Sequence, residues 1–405
     1  MKATTMFAMF ALVLAALALA AVPATDAAVD DEFAVNGISY QVVSEDAVAV
    51  IGADASVKDL ALPDKVTFGG ESYDVSAIAD KAFMNNAAIR TADLGAVSKI
   101  GMKAFAQCPS LTTVTALNVS TVGAYAFYGD ARIAVVDIEG PAKAVIGAGA
   151  FTKCPGIYQL TLPAKLAKVG DSAFSALTFV DADGEKMDKT ASALKGKTFL
   201  GRDAKLTPVD LVVGGLGYRL VSDCEYEVCA VAPGVTVVSV IDPFEADGEF
   251  YDVVSIAKGV FKNNTEITAA FLGPVEDVGD YAFYNCSALV TLDMPCVKTV
   301  GFKAFANCGQ LVSDTYSTHT VYRWEPVRDN GDEPMRGGFG GYEWKLVKKT
   351  VTTRTTSFGS GPIEQVGAYA FWGCESATTV NLAFGAEIGF CAFHHSNIKV
   401  NYVEF

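Results

Sequence analysis

The sequence has little of what catalytic and nucleic-acid-binding proteins rely on. Its 405 residues include only 3 histidines and 3 tryptophans, and charged residues make up 19%. Acidic residues outnumber basic ones by 46 to 31, so the net charge of -15 leaves no basic footprint for phosphate binding. No HExxH, GxSxG, P-loop or dinucleotide fingerprint occurs. These shortages predict a non-enzymatic protein with no cofactor and no nucleic-acid partner.

Long hydrophobic runs are also scarce, since only residues 1–28, MKATTMFAMFALVLAALALAAVPATDAA, contain one. Lys2, the apolar stretch after it and the small residues from Ala24 to Ala28 are typical of a secretory signal peptide. The run is long enough for an uncleaved anchor, which the sequence leaves open. We expect a secreted, extracellular or cell-surface-associated chain with no membrane insertion after signal cleavage.

What the sequence does contain is a repeat. Residues 100–123, IGMKAFAQCPSLTTVTALNVSTVG, combine an apolar-Gly pair, an Ala-Phe pair and a Leu-x-x-Val run. A fixed period in the twenties predicts a solenoid whose coils bury their apolar sides against one another. We expect Leu-x-x-Val to form a strand paired in parallel with the next coil, and Ala-Phe to form a helical turn. The repeat phenylalanines are Phe83, Phe105, Phe127, Phe151, Phe174, Phe261, Phe283, Phe305, Phe371 and Phe393, each preceded by Ala except Phe261, which follows a Val.

The nine cysteines follow the repeat more than a disulfide pattern. Five of them lie three residues after a repeat phenylalanine, and we interpret them as a structural ladder of buried thiols: Cys108, Cys154, Cys286, Cys308 and Cys374. Cys224 and Cys229 lie outside the repeat, and a local disulfide between them is an alternative. The acidic run Asp181, Asp183 and Glu185 lacks the spacing of a calcium loop, so we expect no metal site.

The full pattern, I-G-x-x-A-F-x-x-C-x-x-L-x-x-V-x-L-P-x-x-V-x-x-I-G, resembles the BspA-type leucine-rich repeats of secreted and cell-surface proteins. The resemblance covers roughly residues 75–177, 253–311 and 363–405. It implies a leucine-rich-repeat solenoid, mainly short parallel β-strands with short helical turns, and a role at the cell surface. Such folds carry many ligands. We interpret five departures at the Cys position as mild: Asn86, Asp130, Leu177, Asn264 and Ser396.

Two β-rich segments, residues 33–75 and 211–253, align with each other. Tyr40 corresponds to Tyr218, and Tyr73 to Tyr251. Because the open end of a solenoid exposes apolar surface, we interpret both segments as N-terminal caps, which implies two solenoids. The predicted division is a signal peptide at 1–28, a β cap at 29–75, a solenoid at 76–177, a closing or linker segment at 178–210, a second β cap at 211–253 and a second solenoid at 254–405.

The second solenoid is interrupted by residues 312–362, which we call the insert. The gap between Phe305 and Phe371 is three coils long, so it contains either two degenerate coils or an added element. The strand and turn signals of the insert favour an added hairpin or small sheet. Tryptophan, tyrosine and arginine are enriched at binding hot spots. The predicted ligand-binding residues are therefore Tyr322, Arg323, Trp324, Arg336, Tyr342, Trp344 and Trp372; the alternative is that the aromatic residues pack the insert onto the solenoid edge.

Together these features predict a secreted or surface-displayed interaction protein, adhesin-like, with a protein or glycan ligand on a host or neighbouring cell. The ligand would bind the solenoid face or the aromatic insert. The alternative is a structural component of the cell envelope that assembles by solenoid packing. An enzyme would need a cluster of titratable residues that the repeat does not provide.

Overall fold

The structure is a computed structural model that describes residues 28–405 apart from 142, 182–183, 224, 241–243, 247–248, 313–314, 327–343, 356–357, 378 and 404–405. Side chains are described outside 244–246, 249–250, 315–326, 344–355 and 358–362. Residues 1–27 of the predicted signal peptide therefore lie outside the described residues. Within the described residues, no helix has the length and apolar character needed to cross a membrane.

The chain begins with a β module in which buried and surface residues alternate. Ile38, Tyr40 and Val42 are buried, because successive side chains of a strand point to opposite faces. The strands are β1 (Glu32–Val35), β2 (Ile38–Val42), β3 (Ala47–Ala53), β4 (Asp59–Ala61), β5 (Lys65–Phe68) and β6 (Glu71–Ile78). β1, β2 and β3 are antiparallel, and β3 pairs in parallel with β6, which joins the module to the solenoid.

Each following coil contributes one strand to each of two parallel ladders. The strands are β7 (Thr91–Asp93), β8 (Lys99–Ile100), β9 (Thr113–Ala116), β10 (Thr121–Val122), β11 (Val135–Ile138), β12 (Ala144–Ile146), β13 (Gln159–Thr161) and β14 (Leu166–Val169). One ladder runs β4-β7-β9-β11-β13 and the other β6-β8-β10-β12-β14. The predicted parallel pairing of the Leu-x-x-Val strands is confirmed, whereas the sequence analysis did not separate the second ladder.

The repeat phenylalanines stack in a column between the two ladders. In the first half, from Phe83 to Phe174, successive ring centroids are 4.9, 5.4, 5.1 and 5.4 Å apart and the rings are nearly parallel. Neighbouring coils approach closely at the apolar-Gly pair, where a methyl group on Gly123 would lie 2.5 Å from the carbonyl carbon of Gly101. Glycine is therefore required there for steric reasons.

The Ala-Phe segment differs in detail from the helical turn that the sequence suggested. It is a run of turns in which Ala104 N–H donates to Gly101 O and Ala106 N–H to Lys103 O. Phe105 N–H instead donates to Ala126 O of the next coil, at 2.8 Å. Because alternate amides bond along the solenoid axis, the segment cannot complete the hydrogen bonds of an α-helix.

The first half ends in an antiparallel hairpin. The elements are β15 (Thr178–Phe179), α1 (Ala191–Leu194), β16 (Thr198–Arg202) and β17 (Lys205–Val209). β16 pairs antiparallel with β13 and with β17, so the parallel ladder stops there. Thr190 caps α1 by accepting the Ala193 N–H at 3.4 Å.

The second half repeats the arrangement of the first. Its first strands are β18 (Leu211–Val213), β19 (Leu216–Ser222), β20 (Glu225–Val231), β21 (Val237–Ser239), β22 (Phe244–Ala246), β23 (Glu249–Ile256), β24 (Ala269–Phe271), β25 (Asp277–Val278), β26 (Thr291–Asp293) and β27 (Thr299–Val300). β18, β19 and β20 are antiparallel, and β20 pairs in parallel with β23, as β3 does with β6. Parallel ladders then run β23-β25-β27 and β21-β24-β26.

The coils on either side of the insert are direct neighbours. The last strands are β28 (Thr315–Pro326), β29 (Trp344–Thr355), β30 (Phe358–Val366), β31 (Thr379–Ile388) and β32 (Lys399–Val403). β27 pairs in parallel with β30, and the rings of Phe305 and Phe371 are 5.2 Å apart. β28 and β29 form an antiparallel pair of twelve-residue strands. Among the described residues, no coil therefore lies between these two, which agrees with the predicted added element.

Two large buried clusters form the core, one within residues 38–206 and the other within residues 216–392. A third, small cluster lies where the halves meet: Leu200, Val209, Cys229, Ala230 and Ala232. This pattern agrees with two solenoids, but the domain boundaries given above remain predictions.

The structure places the five ladder thiols inside the coils, each fully buried. Each Sγ donates to the carbonyl oxygen of the phenylalanine one coil back, as Cys108 does to Phe83 O at 3.1 Å. Burial raises the pKa of the Cys108, Cys154 and Cys374 thiols to about 12 and that of Cys308 well above its usual value. These four thiols therefore stay protonated and unreactive at neutral pH.

Cys229, one of the two cysteines of the alternative disulfide, lies buried in the cluster between the halves, where its Sγ is 3.6 Å from Gly217 O. No other described cysteine is bridged to it. Cys224 lies outside the described residues, so a disulfide between the two stays a prediction.

Candidate functional site

The turns that carry the repeat phenylalanines present outward positions three and two residues before the phenylalanine, as at Phe302 and Tyr281, and directly after it, as at Tyr284. Tyr281 has a φ of +57°, which is unfavourable for a residue with a Cβ atom. Inter-coil hydrogen bonds offset this cost, because Tyr281 N–H donates to Phe302 O at 2.9 Å and Phe283 N–H to Ala304 O at 2.8 Å. The outward side chains are therefore held in fixed register.

In the second half these turns carry a row of aromatic side chains, which we call the aromatic stripe: Tyr281, Tyr284, Phe302, Tyr369, Trp372 and Phe390. Ring centroids are 5.2 Å apart between Tyr281 and Phe302, and 6.1 Å between Phe302 and Tyr369. Tyr369 and Phe390 follow at 5.7 Å. The rings meet edge to face, a favourable geometry for aromatic pairs. The stripe thus crosses four coils without a break.

The stripe is accessible to a ligand. Phe390 is 72% exposed, and the other members are half-buried, with their remaining surface open to solvent. Large apolar patches at a protein surface often mark interaction sites, so this row of partly exposed rings is a candidate binding surface.

Two lysines lie against the stripe. The Lys262 ammonium is 4.9 Å from the ring centre of Tyr281, and the Lys303 ammonium is 5.1 Å from Phe302 and 5.3 Å from Tyr369. A cation over an aromatic ring is attracted by the electron-rich ring face. The stripe therefore offers aromatic surface and positive charge together, on a chain whose net charge is -15.

Trp372 is the member of the predicted site whose side chain the structure describes. It is half-buried, directly follows Phe371 and lies edge-on to His395, with ring centres 5.6 Å apart. Trp372 therefore lies on the same turn as Tyr369, on the other side of Phe371 in the sequence.

The other predicted ligand-binding residues fall in the insert. Tyr322, Arg323 and Trp324 are in β28 and Trp344 is in β29, where the backbone alone is described. Arg336 and Tyr342 lie outside the described residues. These assignments remain predictions.

The sequence analysis missed most of the stripe, although its signal was present. The letters around the repeat phenylalanines read YAFY, FKAFA, YAFW and FCAFH in the second half. The central Ala and Phe of each are core residues, as is Ala306, and the flanking aromatic residues lie at outward positions. In the first half the same positions carry an aromatic pair in one coil, at Tyr125 and Tyr128.

The described part of the chain contains no group of three or more His, Cys, Asp or Glu side chains arranged to hold a metal ion. Asp181 instead closes a turn, because its Oδ1 accepts the Glu185 N–H at 2.9 Å. Asp183 is outside the described residues. The outward side chains of the turns provide a surface for contact.

Comparison with solved structures finds bacterial leucine-rich-repeat proteins. A leucine rich cell surface protein from Faecalibacterium prausnitzii A2-165 is 16% identical over 92% of this chain and 94% of its own, with a TM-score of 0.31. The pneumococcal vaccine antigen PcpA is 13% identical over 93% and 88%, with a TM-score of 0.30. A leucine-rich repeat protein from Bacteroides ovatus ATCC 8483 is 15% identical over 92% and 99%, with a TM-score of 0.25. No curated protein matches the chain.

The family model for the BspA type leucine rich repeat region matches six copies, at residues 76–189 and 251–322. These ranges hold the parallel ladders and much of the phenylalanine column described above. In these two ranges the chain therefore carries BspA type leucine-rich repeats.

Proposed function

We propose that the chain is a secreted or surface-displayed interaction protein, adhesin-like and non-enzymatic, that binds a protein or glycan through the aromatic stripe. The single observation that carries this proposal is the unbroken row of accessible rings from Tyr281 to Phe390, held in register by the coil-to-coil hydrogen bonds. Rigid aromatic side chains give large contact area at low cost in conformational entropy.

The rigid backing of the stripe supports the same proposal. Behind Tyr369 lies the phenylalanine column, with Phe305 and Phe371 both fully buried. A surface whose side chains are already ordered loses little entropy on binding. The insert, which joins the coils of Phe305 and Phe371, would extend this surface.

Paired variants test the proposal. Residues 29–405 are screened against immobilised matrix proteins, a glycan array and whole cells, and then Tyr369→Ala is combined with Trp372→Ala. Losing two hot-spot side chains typically costs about 2 kcal/mol or more, so we expect the Kd of the ligand found in the screen to rise roughly thirtyfold.

The chain offers a matched control, because Tyr125 and Tyr128 occupy the same two turn positions around Phe127 that Tyr369 and Trp372 occupy around Phe371. The double variant Tyr125→Ala with Tyr128→Ala should bind as the unchanged chain does. Equal loss in both double variants, or loss in the control alone, would contradict a site on the stripe.

A structural role in the cell envelope is a second candidate, favoured by apolar side chains on the last coils. Phe384 is 77% exposed, Phe390 72% and Tyr402 55%. A second copy stacked on this surface would bury them. Light scattering coupled to gel filtration across a hundredfold range of concentration tests this: a mass that stays that of one chain counts against assembly, and a dimer or larger species that Phe384→Ser abolishes supports it.

A further inference from the structure

A cavity of about 430 Å³ lies where the first half meets the second, next to the start of the aromatic stripe. The hairpin β16–β17 supplies Arg202 and Lys205 to its wall. The turn that follows β23 supplies Lys258 and Lys262, and Tyr281 completes this side. Small-molecule sites commonly have volumes of 300 to 1,000 Å³. The cavity is therefore large enough for one or two sugar rings, with Tyr281 at its border with the stripe.

The cavity wall is positively charged although the chain is acidic. Four cationic side chains line it, against two carboxylates, those of Asp181 and Asp203. For the whole chain the ratio is reversed, with 31 basic and 46 acidic residues. The salt bridges found among the described side chains join Lys65 to Asp74, Arg219 to Glu227 and Lys298 to Glu276, so none of them involves the four cations of the cavity. The cavity thus concentrates positive charge that described carboxylates do not pair.

Two of the cations are held in place. Arg202 Nη2 donates to Lys262 O at 2.8 Å, which ties the hairpin of the first half to the first coil of the second. The guanidinium has further N–H donors in a planar fork that suits carboxylate, sulfate or phosphate oxygens. The Lys262 ammonium is fixed between Tyr281 and Tyr284, at 4.9 and 5.6 Å from their ring centres. Preordered donors lower the entropic cost of holding an anion.

We propose that this cavity binds the acidic group of a carboxylated or sulfated glycan whose neighbouring sugars stack on the aromatic stripe. The continuity of the two surfaces supports this ligand class, because Tyr281 belongs to both and Lys262 of the cavity wall lies over the Tyr281 ring. An acidic glycan presents both apolar ring faces and anionic groups. A neutral glycan has the ring faces but lacks the anionic groups. A nucleic acid is a weaker fit, since the net charge of -15 repels a uniformly charged phosphate backbone. The inference rests on the proposed function and narrows its ligand to one class.

Calorimetry on residues 29–405 tests the inference with three probes at 50 and 200 mM NaCl: a sulfated heparin hexasaccharide, a hexagalacturonate and a neutral dextran hexasaccharide. We expect at least one acidic probe to bind at least tenfold more tightly than dextran. The double variant Lys205→Gln with Lys258→Gln should weaken that binding about tenfold and reduce its salt dependence. Whichever acidic probe binds more tightly identifies the anionic group as sulfate or carboxylate.

A charge-matched control separates the cavity from general electrostatics. Lys99→Gln with Lys168→Gln removes two exposed lysines of the first half and should leave the affinity unchanged. Equal weakening in both double variants overturns the inference, as does binding of dextran equal to the acidic probes, or tighter binding of a DNA duplex than of either acidic probe. If the cavity variant binds normally while Tyr369→Ala with Trp372→Ala does not, the cavity is wrong and the stripe stands.

Discussion

At the scale of single residues, a thiol, an amide and a carboxyl group at the Cys position of the repeat make different contacts. A thiol donates to the phenylalanine carbonyl one coil back, as Cys308 does to Phe283 O. Asn86 instead accepts the amides of Ala88 and Ile89 at 2.8 and 3.0 Å, which closes a local turn. Both solutions give the polar group hydrogen-bond partners.

Asp130 is a departure of a different kind. It is fully buried, its Oδ1 accepts the Cys108 N–H at 2.6 Å, and its Oδ2 has no partner within the described residues. Burial raises the pKa of this carboxyl to about 8. Sequence alone did not reveal this, because whether a carboxylate at this position meets solvent depends on the two flanking coils.

Replacing Asp130 should change how stability depends on pH. The pKa of this carboxyl is higher in the folded chain than in the unfolded one. The stabilisation that the bound proton provides is therefore complete below about pH 4 and is lost as pH rises to about 8. Over that window the chain loses roughly 1.4 kcal/mol per pH unit from this group. Asp130→Cys, which restores the thiol, should therefore gain stability over the unchanged chain as pH rises from 5 to 8.

Urea unfolding at pH 5 and pH 8 measures this difference, and Asp171→Asn, at an exposed position, serves as the control. A difference in unfolding free energy between Asp130→Cys and the unchanged chain that stays constant across pH would mean that Asp130 does not titrate in this range.

At the scale of elements, strands β28 and β29 of the insert form a sheet of their own outside the ladders, and β30 takes up the ladder from Phe358. β27 pairs directly with β30, and Val312 N–H still donates to Val290 O at 2.9 Å before the insert leaves the coil. Replacing residues 313–357 by a short linker should therefore leave the melting temperature within a few degrees of that of the full chain. Far-ultraviolet circular dichroism during heating measures this.

The same deletion separates the insert from the stripe as the source of binding. Because the stripe belongs to the coils, the deleted chain should keep its ligand with a change in Kd of less than about threefold. Loss of cooperative melting would instead show that β28 and β29 carry part of the core, and loss of binding in a folded chain would place the site in the insert.

The repeat strands could be predicted and the shape of the turns could not, for one physical reason. Val114 and Ala116 are buried and alternate with partly exposed residues of the same strand, so a pattern local to one repeat identifies the strand. The turn around Phe105 takes its hydrogen bonds from the next coil, and a pattern local to one repeat contains no trace of that pairing. The stripe was missed in the same way, since its outward positions follow from the turn geometry.

At the scale of the whole molecule, the two halves have separate cores that meet through a small apolar cluster and the cavity wall. In a repeat protein stability is a sum of contacts between neighbouring coils. Phe127→Ala should cost the first half about 3 to 5 kcal/mol, as is usual for a buried phenylalanine. Amides of the second half should keep their protection.

Hydrogen exchange followed by mass spectrometry distinguishes this from a single cooperative unit. Faster exchange limited to peptides of residues 76–177 agrees with separate units, and Phe283→Ala should show the mirror-image result in the second half. Faster exchange throughout the chain in either variant would mean that the apolar cluster at Leu200 and Cys229 couples the halves tightly.

The direct contact between the coils of Phe305 and Phe371 also bears on how such a protein can diversify. The chain between them leaves and returns at adjacent coils, so its length and composition can change while the spacing of all coils is preserved. Substitutions at the outward turn positions are equally free of the core. One scaffold can therefore acquire new specificities at two independent places, and foreign segments spliced between residues 312 and 358 should be displayed without redesign of the rest.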